Sequence, residues 1–124
     1  MAWSFSSDRP VYLQIAQRIR RSVLSGEYPP GGQIPSVRQL ALEAAVNPNT
    51  VQHAFSDLEN EGIIISKGTQ GRYVTEDRQI IEQMRQAIAM ECVRGFLQDL
   101  KQLAIDGEQA ISMIKEVMNE HTGM

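Results

Sequence analysis

Two helix-start signals stand only eleven residues apart, at Ser36 and Asn47, and a spacing that short leaves room for one small helix and a tight turn. Ser36-Val37-Arg38-Gln39 reads as a capping box, in which the Ser36 hydroxyl accepts from the Gln39 amide while the Gln39 side chain reaches back. Leu40, Ala41 and Ala44 then recur at helical spacing, which predicts a helix ending near Ala45. Asn47-Pro48 repeats the signal, with Asn as N-cap and Pro at the first helical position. Val51, Ala54, Phe55 and Leu58 form the inward stripe of this next helix, Gly62 closes it, and Asn49, Gln52, His53 and Ser56 form its polar face. Two short helices joined tightly, the second with a free polar face, have the geometry of a helix-turn-helix.

The flanking segments extend this frame. Pro10 at a first helical position opens a stretch in which Tyr12, Ile15, Ala16, Ile19 and Val23 share one face, and Gly26 stops it. Pro29-Pro30-Gly31-Gly32 predicts a stiff, non-helical turn. After the third helix, Ile63-Ile64-Ile65 and Arg72-Tyr73-Val74 are β-prone runs around the polar, Gly-containing residues 66–71, which predicts a hairpin, or wing. Beyond it, Thr75 or Asp77 caps one long helix carrying Ile81, Met84, Ile88, Phe96, Leu97, Leu100 and Leu103, with Gly95 marking a bend or close helix packing. Asp106-Gly107 breaks that run, and Ala110, Ile111, Ile114, Val117 and Met118 make a last amphipathic helix. Two such helices cannot close a core of useful size, so they call for a partner, most simply a second copy of the chain. The fold class is therefore mainly α with a small β-hairpin: a winged helix-turn-helix over residues 1–75, then a two-helix dimerisation tail over residues 76–124.

Charge narrows the function classes. The net charge of −3 argues at first against a nucleic-acid partner, yet it hides a split. Residues 1–75 hold seven Lys or Arg against six Asp or Glu, whereas residues 76–124 hold five against nine. Arg18, Arg20, Arg21, Arg38, Lys67 and Arg72 all lie in the first part, and the acidic remainder reads as a solvated helical appendage. No run reaches the roughly 18 apolar residues of a membrane span, and the opening MAWSFSSDRP lacks signal-peptide character, so a cytoplasmic protein without membrane association is expected. One cysteine, Cys92, excludes an internal disulfide framework, and His53 and His121 have no neighbours at metal-ligand spacing. With no phosphate loop, nucleophile elbow or paired metal-ligand motif, neither an enzyme nor a cofactor site is expected.

The motifs Pro10-Val11-Tyr12-Leu13-Gln14-Ile15, Ile34-Pro35-Ser36-Val37-Arg38-Gln39-Leu40-Ala41, Asn49-Thr50-Val51, Leu58-Glu59-Asn60-Glu61-Gly62 and Gly71-Arg72-Tyr73-Val74 resemble, in order and spacing, the DNA-binding domains of the GntR family. The resemblance covers about residues 10 to 75, and the short helical tail is similar to that of the YtrA-like subfamily. It implies a transcriptional regulator, a repressor, that binds an inverted-repeat operator in double-stranded DNA as a homodimer, and it puts a DNA-contacting Arg at Arg38 and a minor-groove glycine at Gly68. Where many relatives have Ser or Thr followed by Arg, this chain has Asn47-Pro48, and Gln52 stands where Arg is common, so two cationic contacts per subunit are missing.

Physical chemistry gives each candidate a role and a plain alternative. Arg38 suits phosphate or the O6 and N7 acceptors of guanine; otherwise it pairs with Glu43 or Glu59. Asn47, Asn49 and Thr50 lie at the recognition-helix N-terminus, whose free amides favour phosphate, with Asn47 either a cap alone or a contact as well. Gln52 suits the N6 and N7 edge of adenine, while His53 is either a further contact or a partly packed surface histidine. In the wing, Lys67, Gly68, Thr69 and Gln70 enter or border the minor groove, and Gly68 serves either close approach or the turn itself. Two other functions stay open: a dimeric interaction module that has lost operator binding, and a small-molecule sensor in which Met84, Met90, Met113 and Met118 line an adaptable pocket. The residues point to no particular effector.

Overall fold

The computed structural model describes residues 3–122. The elements run α1 (Val11–Leu24), α2 (Val37–Ala44), α3 (Pro48–Asn60), β1 (Ile64–Ser66), a 3-10 turn (Gly68–Gln70), β2 (Arg72–Val74), α4 (Arg78–Gln102) and α5 (Gly107–Thr122). The backbone forms two compact units that meet in sequence at Arg85 and Gln86, so α4 begins in one and ends in the other.

In the first unit the helix starts are those the side chains dictate. Ser36 Oγ accepts from the Gln39 amide at 3.1 Å and Gln39 Oε1 accepts from the Ser36 amide at 2.9 Å. Asn47 caps α3, with Pro48 in its first turn. Pro10 sits one position earlier than expected, as the N-cap residue of α1 with an extended ψ of 141°, and the helix begins at Val11. The helix-turn-helix turn is made by Ala45 in the left-handed region, φ 59°, with the Val46 amide donating to Ala41 O at 3.0 Å and the Ala45 amide to Leu42 O at 3.3 Å. The end of α3 has the same pattern with Gly62 in the left-handed position, where the Ile63 amide donates to Leu58 O at 3.2 Å.

The core fills the space between these three helices. Val51, Ala54, Phe55 and Leu58 of α3 are fully buried against Ile15 and Ile19 of α1 and Leu40 of α2, and Ile63, Ile64 and Val74 close it from the hairpin. Ile81, near the start of α4, belongs to the same cluster, with Met84 packed against it. The hairpin pairs Ile64 with Val74, Ile65 with Tyr73 and Ser66 with Arg72, one residue later than the sequence places its first strand. The segment read as a plain turn does more than turn. Gly31 and Ile34 donate to Val74 O and Arg72 O, each at 3.0 Å, and the Val74 amide donates to Gly32 O at 2.8 Å, so β2 is bonded along both edges.

In the second unit α4 passes through Gly95 as continuous helix and ends at Gln102. The run breaks at Ala104, φ 61°, earlier than expected, and the Asp106-Gly107 pair starts a helix instead of only ending one. Asp106 Oδ1 accepts from the Gln109 amide at 2.9 Å while Gln109 Oε1 accepts from the Asp106 amide at 3.0 Å, a second capping box with Gly107 in the first turn. Ala110 is buried, but Val93, Phe96, Leu97, Ile111 and Ile114 are each at least 40% exposed and line an apolar hollow of about 600 Å³ with it. The methionines do not gather there: Met84 packs on the first unit's core, and Met90, Met113 and Met118 are exposed.

Phe55 is the largest fully buried side chain among the described residues and belongs to the first unit's core cluster, so Phe55→Ala is expected to cost about 3–5 kcal/mol of stability in urea unfolding at fixed protein concentration. A loss below about 1 kcal/mol would contradict this packing. Ala45→Gly removes a left-handed alanine, worth roughly 1–2 kcal/mol of strain, against an entropic cost of roughly 0.5–1 kcal/mol. A net gain of at most about 1 kcal/mol is expected in the same measurement, and a clear loss would show that the turn is not left-handed.

Candidate nucleic-acid interface

Burying Val51, Ala54, Phe55 and Leu58 leaves the opposite face of α3 no choice but to face solvent, and Asn49, Gln52 and His53 are exposed on it, with Thr50 half-buried at its edge. At its N-terminus the backbone amides are largely spent. Pro48 has none, the Asn49 amide donates to Asn47 Oδ1 at 2.8 Å, and the Thr50 amide donates to Asn47 O at 2.9 Å. Asn47 is thus a working cap, and the free amides expected to draw a phosphate to this end are already satisfied within the helix. Arg38, on the first turn of α2, is exposed and enters no ion pair or hydrogen bond among the described residues. The pairing with Glu59 weighed from sequence does not occur, because Glu59 is held by Arg72.

The wing brings a second set of groups to the surface. Lys67, Gly68, Thr69 and Gln70 are all exposed. The Lys67 ammonium lies 4.5 Å from the centroid of the Tyr73 ring, so its stem is steered along the hairpin while its charge stays in water. Gly68 has φ +60° and starts the 3-10 turn, and a Cβ there would meet no atom within 4 Å. Both readings of this glycine therefore remain physically sound: the turn favours it, and the space above it is clear. Gln70 is anchored through its carbonyl, which accepts from Gln33 Nε2 at 3.1 Å and from the Tyr73 hydroxyl at 3.2 Å, leaving its side chain outward.

Several contacts in this region are not legible in the residue pattern. Tyr12 of α1 stacks face to face on His53, with centroids 3.5 Å apart and an interplanar angle of 10°, so this histidine is packed on one side although exposed on the other. Arg20 is engaged by Glu61 through a two-pronged pair at 3.0 and 2.5 Å, and Arg18 lies 4.0 Å over the Trp3 ring, which withdraws two first-helix arginines from the pool of free cations. Arg72 of β2 donates from Nε to Glu59 Oε1 at 2.5 Å and from Nη2 to Gln52 Oε1 at 3.4 Å, and its guanidinium stands 4.9 Å from the Phe55 ring centroid. Strand periodicity carried the signal for the last of these: Val74 points into the core, so Arg72, two positions earlier, shares its face and looks toward α3.

Between α2 and the wing runs an open groove whose lining includes Tyr28, Gln33, Val37, Arg38, Gly71 and Arg72. Burial pushes the Tyr28 phenol above its ordinary range, with Glu27 and Glu43 adding to the effect, so it stays a neutral hydroxyl at physiological pH. The groove is flanked by Arg38 on one side and the wing on the other. The first unit thus exposes a polar helix face on α3, the unpaired Arg38 guanidinium on α2 and a projecting hairpin, groups of the kind that groove and backbone recognition uses.

Known proteins share this plan. The family model described as "Bacterial regulatory proteins, gntR family" matches residues 11–74. The chain is 32% identical over 118 residues to the HTH-type transcriptional repressor YtrA of Bacillus subtilis, covering 94% of this chain and 91% of that protein. A solved GntR family transcriptional regulator from Listeria monocytogenes superposes with a TM-score of 0.84 at 36% identity, over 90% of this chain and 98% of that one. The AraR DBD, solved in complex with operator ORX1, superposes with a TM-score of 0.54 at 25% identity, over 60% of this chain and 92% of that one. With its mainly helical winged fold, a family match across the whole first unit's motifs and similarity to YtrA along almost all of its length, this chain belongs to the GntR family of bacterial regulatory proteins.

Proposed function

We propose that the chain is a non-enzymatic, cytoplasmic transcriptional repressor that binds an inverted-repeat operator in double-stranded DNA as a homodimer. The observation that carries this reading is the exposed polar face of α3 beside the unpaired Arg38 and the wing cation Lys67. In this reading residues 1–75 read DNA and residues 76–124 dimerise. Arg38 and Asn49 meet base edges or phosphates at the major groove, Asn47 and Thr50 border the backbone there, and Gln52 meets a base edge, with His53 held beside it by Tyr12. Lys67, Gly68, Thr69 and Gln70 reach the adjacent groove, where a basic side chain and a clear backbone suit the phosphate-lined minor groove. The likeness to a DNA-binding domain solved on its operator, and to a protein named a repressor, supports the same assignment.

Dimerisation follows from surface chemistry. Val93, Phe96, Leu97, Ile111, Ile114 and Val117 remain between 40% and 54% exposed in a unit with a single fully buried side chain among its described residues, Ala110. So much apolar surface on so small a unit is stable in water only when covered, and a second copy covers it with the same groups.

Selection of bound sequences from a random DNA pool tests the function directly, and a twofold-symmetric motif is the expected product. On the selected operator, Lys67→Ala is expected to weaken all sequences alike and reduce the logarithmic salt slope by about one unit per lost phosphate contact. Gln52→Ala is expected to cost about 1–3 kcal/mol on the preferred operator, to relax one base position and to leave the salt slope unchanged. Uniform weakening by Gln52→Ala, or an altered base preference with an intact salt slope in Lys67→Ala, would contradict this division of labour. In the tail, Phe96→Glu places a charge in the proposed interface, and monomers or aggregates are expected in analytical ultracentrifugation. A stable, fully dimeric variant would remove the tail from that role.

A further inference from the structure

We propose that Arg72 fixes Gln52 as a hydrogen-bond donor toward DNA, so that the base read by Gln52 is guanine and not adenine; this deepens the operator reading above and rests on it. A glutamine amide on its own is symmetrical in promise: its oxygen accepts and its nitrogen donates, which is the pattern that matches the N6 and N7 edge of adenine. Here the two ends are not equally available. Arg72 Nη2 donates to Gln52 Oε1 at 3.4 Å, and an arginine has donors only, so the amide must turn its oxygen toward the wing.

Arg72 is itself held from several sides. Its Nε donates to Glu59 Oε1 at 2.5 Å, Phe55 lies against the guanidinium, and its carbonyl accepts from the Ile34 amide at 3.0 Å. Its side chain is mostly buried, whereas Gln52 is exposed. A guanidinium fixed by an anion, a ring and a strand does not follow Gln52 into a groove, so Gln52 adapts to it. What remains outward is the Nε2 amino group with its two N–H bonds. Guanine offers two acceptors, O6 and N7, on its major-groove edge, while adenine sets its own N6 amino donors against those N–H groups. Thymine offers one acceptor, O4, and ranks below guanine. Glu59 also neutralises Arg72, which makes this arginine a positioning residue for Gln52 and not a phosphate contact.

The test uses the full chain on its selected operator, with all four bases placed in turn at the position whose preference Gln52→Ala abolishes. The wild type is expected to prefer guanine over adenine there by about 5-fold or more, the lower end of what a good base contact discriminates. Arg72→Met keeps an apolar stem over Phe55 but removes every donor, frees the Gln52 oxygen, and is expected to raise adenine to parity with guanine or above it. Gln52→Glu keeps an acceptor for Arg72 but has no donor for a base, and is expected to lose the guanine preference. Adenine preferred by the wild type, or an unchanged guanine preference in folded Arg72→Met, would overturn the proposal. Should Arg72→Met fail to fold by circular dichroism, Gln52→Glu decides, and retained guanine preference there would overturn it. If Gln52→Ala relaxes no position, base reading by Gln52 fails while the operator reading stands; if the wild type enriches no sequence, the operator reading fails with it.

Discussion

The burial of one stripe on α3 governs everything exposed on it. Val51, Ala54, Phe55 and Leu58 lock the helix about its long axis against α1, α2 and the hairpin, and with all four fully buried there is no second orientation of comparable stability. Because a helix carries its residues at 100° intervals, fixing that stripe also fixes the direction of Asn49, Gln52 and His53 without any contact of their own. The polar face is held by the core behind it. The orientation of this polar face is therefore a by-product of packing, and a cavity under Phe55 would loosen the candidate surface as well as the fold.

The second constraint is the double-edged bonding of β2. A two-stranded hairpin alone is marginal in water, but here residues 31–34 bond the free edge of β2, so the wing is stiffened by the loop that leads into α2. The same strand carries Arg72, which ties the wing to α3 through Glu59 and Gln52. Two elements of the candidate interface are thereby joined by one guanidinium.

What could be read from the residues alone was what side chains do to their own backbone. The capping box at Ser36 and Gln39, the Asn47 cap and the left-handed stop at Gly62 act within three residues of themselves, and they fall where expected. Helical periodicity likewise placed the core faces of α1, α2 and α3. The Asp106 box obeys the same rule, yet an Asp-Gly pair reads as a breaker, because Gly in a first helical turn and Gly in a stop look alike in sequence. Long-range pairings were silent. Tyr12 and His53, Arg20 and Glu61, and the bonding of Gly31 and Ile34 to β2 join residues that only the tertiary fold brings together, and each changes which groups of the candidate surface are free.

In the proposed complex two copies of this surface read DNA across a twofold axis, α3 in the major groove and the wing beside it. Chemical footprinting of the wild type on its selected operator tests this most directly, using methylation of guanine N7 for the major groove and hydroxyl radicals for the backbone. Two clusters of major-groove protection about one helical turn apart, in inverted order and each flanked by backbone protection, are the predicted result. A single protected cluster, two clusters in direct repeat, or backbone protection with every guanine N7 left reactive would contradict it.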